Sequence, residues 1–71
     1  MIELHLLLRA PPNQTRNLTA ALQALAKSAR TLQGCMNVEV YKSVARPRCL
    51  CYDEVWESEQ ELRRMIASHH F

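Results

Sequence analysis

A tyrosine, a glutamate and a tryptophan occupy every second position of the stretch Tyr52-Asp53-Glu54-Val55-Trp56. On a β-strand that spacing puts all three on one face. Together they offer a hydroxyl donor, a proton acceptor and an aromatic wall. A carboxylate turned into an apolar interior holds its proton more tightly and can serve as a general base. Plainer readings stand beside this one. Glu54 can pair with an arginine or lie at the surface, and Trp56 can be a core aromatic that anchors a corner. Tyr41 and Tyr52 are either donors to a bound molecule or ordinary half-buried strand residues.

The remaining reactive side chains are less promising. His69 and His70 are adjacent, so on a helix they point about 100° apart and cannot chelate one metal together. His70 reads as a proton carrier or as a cap on the carbonyl end of a helix. His5 reads as a strand surface residue. Cys35, Cys49 and Cys51 make an odd set of three. A Cys-x-Cys without a second nearby pair is no structural zinc signature, and cysteines two apart on one strand are badly placed for a disulfide. Buried free thiols are expected, and no metal site. A single glycine leaves no Gly-rich phosphate loop.

The elements that must carry these residues follow from periodicity. Residues 2–10 alternate, with Ile2, Leu4, Leu6 and Leu8 on one face, and stop at Pro11-Pro12; this predicts a strand. Asn13 or Thr15 is placed to cap a helix. Leu18, Leu22, Leu25, Ala29 and Leu32 form its apolar stripe, and Gly34 suits a left-handed stop. Residues 36–44 alternate again, residues 45–48 contain Pro47 and read as a turn, and residues 49–56 form the third strand. Ser58-Glu59-Gln60-Glu61 is a capping box that opens a second helix with Leu62, Met65, Ile66 and His69 at helical spacing.

The order β-α-β-β-α is that of an α+β, ferredoxin-like split βαβ unit whose fourth strand is absent. It predicts one domain over residues 1–71, an antiparallel sheet with two helices on one face. The third strand is apolar on both faces, so a second copy is expected to cover the side the helices leave open. A chain of 71 residues has a marginal core, which also favours a homodimer. The net charge of +2, with scattered basic residues, argues against nucleic acid. There is no membrane-length apolar run and no basic leader before Leu6-Leu7-Leu8, so a reducing, cytoplasmic setting is expected.

Gly34-Cys35-Met36, Val40-Tyr41-Lys42-Ser43, the corner from Tyr52 to Ser58 and the ending Ser68-His69-His70-Phe71 together resemble the antibiotic biosynthesis monooxygenase (ABM) domain. The resemblance implies a dimeric α/β barrel of two ferredoxin-like sheets packed face to face. It implies oxidation of a small aromatic substrate, a quinol or phenol, by dioxygen without a metal or organic cofactor. Carried onto this chain, it makes Glu54 and His70 the candidate catalytic groups. Trp56, Tyr52, Tyr41 and Met65 become the candidate substrate contacts. Two departures matter. Met65 stands where the family commonly has a histidine, and the closing strand is missing. The alternative is a non-catalytic homodimer of the same fold, binding a small molecule or serving a structural role.

Overall fold

The computed structural model describes residues 1–68. The elements are β1 (Ile2–Arg9), α1 (Thr15–Ala29), β2 (Cys35–Lys42), β3 (Cys49–Trp56) and α2 (Glu59–Ala67). The three strands form one antiparallel sheet in the order β1-β3-β2. β1 runs against β3 in unbroken register from Ile2 opposite Trp56 to Arg9 opposite Cys49. β3 is thus the central strand and has neighbours on both sides.

That position explains its burial. Leu50, Tyr52, Glu54 and Trp56 point to the helix side and are essentially inaccessible. Leu22, Ala26 and Ala29 of α1 pack on Val38, Leu50 and Tyr52, with Leu6, Leu8, Leu18 and Leu25 around them. The two alanines let the helix approach the sheet closely, and burying such side chains is the main favourable term in a fold this small. On α2 only Met65 is buried, while Ile66 is more than half exposed.

Several local expectations are corrected. The α1 N-cap is Gln14, without a side-chain capping bond, and Asn13 instead takes a left-handed φ of 65°. α1 ends at Ala29, so Leu32 belongs to the turn that follows, and Gly34 is not the helix stop. Gly34 is still left-handed, at φ 89°, and it lies directly against Glu61 of α2. A β-bulge between Cys35 and Asn37 throws Met36 off the core face and into solvent. Val44 lies in the β2–β3 loop, fully exposed. Among the described residues, no helix is long and apolar enough to cross a membrane.

Candidate functional site

Glu54 is the only charged residue in the described core. Its cross-strand neighbours are Leu4 and Val38, which offer a carboxylate no hydrogen bond from their side chains. Donors come instead from its own strand face. The Tyr52 hydroxyl donates to Glu54 Oε2, and the Trp56 indole N–H donates to Oε1 at 3.0 Å. Charge-assisted bonds of this kind offset much of the cost of taking a carboxylate out of water. Burial pushes the Tyr52 hydroxyl well above the ordinary tyrosine range, and the bond to Glu54 and that residue's charge add to it. Tyr52 therefore stays a donor at any physiological pH, and the Trp56 ring is held in one orientation.

Trp56 forms one wall of a cavity of about 170 Å³. Leu32 and Met65 complete its apolar side, and Glu61, Arg64 and Ser68 supply polar groups. Three separate elements meet there: the end of β3, the turn after α1, and α2. The Ser58 hydroxyl accepts from the Glu61 amide at 3.3 Å and so sets where α2 begins. The Glu61 carboxylate accepts from Arg64 Nη1 at 3.1 Å. The Gly34 carbonyl accepts from the Glu57 amide at 2.8 Å, and a Cβ on Gly34 would lie 2.6 Å from Glu61 Cβ. Glycine at this position lets α2 close over the turn and carry Glu61 and Arg64 to the cavity.

The residues expected from sequence are divided by the fold. Trp56 and Met65 line the cavity. Tyr52 and Glu54 stand one step back, joined to it through the indole N–H. Tyr41 lies on the opposite face of the sheet, where its hydroxyl donates to Asp53 Oδ2 at 2.8 Å and His5 pairs with the other oxygen. That bond pushes the Tyr41 hydroxyl up to about 12. His70 lies outside the described residues. Glu61, Arg64 and Ser68 were not anticipated as cavity groups; the only signal was the spacing of Glu61 and Arg64, which suits an ion pair on a helix.

The thiols are free, with Cys49 and Cys51 buried. Burial, and next the charge of Glu54, push the Cys35 thiol up, which disfavours a reactive thiolate there. Among the described residues, no cluster of three His, Cys, Asp or Glu side chains is placed to hold a metal ion.

Residues 1–71 match the sequence profile of the antibiotic biosynthesis monooxygenase family. No curated protein matches the chain. Similar folds occur in solved structures. A conserved protein from Methanosarcina mazei superposes with a TM-score of 0.85 at 23% identity, over 97% of this chain and 68% of that one. A protein from Pseudomonas aeruginosa gives 0.81 at 23% identity, over 97% and 70% of the two chains. A third, a candidate antibiotic biosynthesis monooxygenase from Chloroflexus aurantiacus, gives 0.68 at 25% identity, over 92% and 63%.

Proposed function

This chain belongs to the antibiotic biosynthesis monooxygenase family, and we propose that it oxidises a single-ring phenol or hydroquinone with dioxygen. The observation that carries this reading is the cavity beside Trp56, whose indole is held in place by the buried Glu54. Its volume of about 170 Å³ suits one aromatic ring, since an apolar cavity of about 150 Å³ already takes up benzene. A second or third fused ring would project from its mouth into solvent.

The reaction needs no reductant beyond the substrate. A phenol plus dioxygen gives a quinone plus water: one oxygen atom enters the ring and the other leaves as water. Loss of the phenolic proton makes the ring electron-rich enough to pass an electron to oxygen. Arg64 at the cavity stabilises the phenolate, and Glu61 beside it takes the proton. Trp56 and Met65 hold the ring and exclude water. Glu54 and Tyr52 act through Trp56, as positioning residues. Three free thiols fit a reducing, cytoplasmic setting.

The same reading makes the working unit a homodimer. Leu7 and Tyr41 stand 48% and 42% exposed on the sheet face away from the helices, and a second copy would cover them.

Oxygen consumption with hydroquinone and a series of one-, two- and three-ring phenols tests the activity. Uptake is expected to be strongest with one-ring substrates. It should fall by about 10²-fold in Arg64→Gln, the loss typical of one electrostatic group. No uptake above buffer with any one-ring phenol would overturn the proposal.

A further inference from the structure

Residues 10–34 contain no aspartate or glutamate, although they carry Arg16, Lys27 and Arg30. Arg16, Gln23, Lys27 and Arg30 follow at intervals of seven, four and three residues, which makes a single stripe along α1. The stripe overlooks the edge of β2. Two adjoining grooves run along that seam, of about 420 and 370 Å³. Arg16, Thr19 and Lys42 line the first, Lys27 and Arg30 line the second, and Gln23 belongs to both. No acidic side chain lines either groove among the described residues. The chain's exposed carboxylates gather elsewhere: Glu3 and Glu39 on the far face of the sheet, Glu57 and Glu59 at the start of α2.

We propose that this seam binds an extended acidic peptide segment. The length of the stripe argues for a chain and against a single small anion. Arg16 and Lys27 lie eleven residues apart on the helix, or roughly 16 Å at about 1.5 Å per residue. One phosphate or carboxylate cannot reach both, whereas about five residues of extended peptide span that distance. The side chains between the two cationic ends, Thr19 and Gln23, can hydrogen-bond a peptide backbone. β2 is an outer strand of the described sheet, and its Val38 carbonyl accepts from Arg30 Nη2 at 3.0 Å. Arg30 is thereby anchored at the seam. Nucleic acid fits less well, because no aromatic side chain lines either groove to stack a base, among the described residues. The seam lies on the helix side of the sheet, so a second copy on the other face leaves it open.

Fluorescence anisotropy tests this with a labelled peptide of alternating Glu and Thr, about ten residues long, which is enough to span the stripe. The same peptide with Gln for Glu and an oligonucleotide of equal length serve as comparisons. The acidic peptide is expected to bind more weakly as salt rises. The exposed double variant Lys27→Gln/Lys42→Gln should lose about tenfold in affinity. Arg9→Gln and Arg63→Gln, off the seam, should bind as the unchanged protein does. Equal binding of the neutral peptide, an equal loss in the two off-seam variants, or tighter binding of the oligonucleotide would each overturn the proposal.

Discussion

The Trp56 indole donates to the Glu54 carboxylate at 3.0 Å from two positions further along the same strand face. The ring that walls the cavity is thus oriented by a carboxyl group with no access to solvent. Replacing Glu54 by leucine removes an acceptor shared by Tyr52 and Trp56 and leaves two buried donors without it. The expected cost is about 2–4 kcal/mol. Glu54→Gln keeps an acceptor oxygen and should cost less. Urea unfolding followed by Trp56 fluorescence measures both, and a midpoint unchanged in the leucine variant contradicts this account.

The Tyr41 hydroxyl is raised from 10.0 to about 12, first by its bond to Asp53. A raised value in the folded state means that this bond's contribution is complete below pH 10.0 and is lost as pH climbs through about 12. Burial and the Glu54 carboxylate raise Tyr52 as well. Absorbance at tyrosinate wavelengths should therefore stay low at pH 10, where a free tyrosine is half ionised. Asp53→Asn should return one tyrosine to the ordinary range. Titration of a tyrosine near 10 in the unchanged protein would show that the bond does not hold in solution.

Gly34 combines a φ of 89° with a Cβ position 2.6 Å from Glu61 Cβ. Gly34→Ala should cost about 1–3 kcal/mol from the backbone alone, with the clash in addition. Because the nearest atom includes Cβ of Glu61, Glu61→Ala should fail to rescue it. Thermal unfolding of the single and double variants decides the point, and full recovery in the double variant would place the contact further out along the side chain.

Met65 is buried and forms part of the cavity wall. Met65→Ala should destabilise the fold by about 2–4 kcal/mol and enlarge the cavity. Quenching of Trp56 fluorescence should then respond more strongly to 2-naphthol than in the unchanged protein. A variant quenched no more strongly would mean that another side chain sets the limit.

Leu7 lies on the sheet face away from the helices and is 48% exposed. If a second copy covers that face, each protomer buries the exposed half of this leucine, worth about 1 kcal/mol. Leu7→Arg should raise the dimer dissociation constant by at least about tenfold. Sedimentation velocity reads this directly, and a folded monomer in the unchanged protein would rule out the sheet-face dimer.

Much of the architecture was legible in the residues. Residues 49–56 form β3 as expected, because alternation reports a face without reference to any partner. The Ser58 half of the capping box formed for a similar reason, since hydroxyl and amide are three residues apart on one helix turn, while the Glu61 carboxylate turns to Arg64 instead of back to Ser58. The bulge at Met36 and the early end of α1 were not legible. An unpaired residue depends on the neighbouring strand, and Leu32 kept the helical spacing after the helix had stopped.

The amino-acid sequence alone determined which residues share a strand face or a helix stripe. Those relations are set by backbone geometry over a few residues: Tyr52, Glu54 and Trp56 had to lie together. Only the tertiary structure decided what each group meets. It buried Glu54 by placing β3 at the centre of the sheet, and it sent Tyr41 to Asp53 on the other side. It also brought Glu61 and Arg64 to Trp56 because Gly34, remote in sequence from α2, leaves room for the helix to close. Periodicity fixes directions along one element, whereas a cavity depends on distances between elements that packing alone sets.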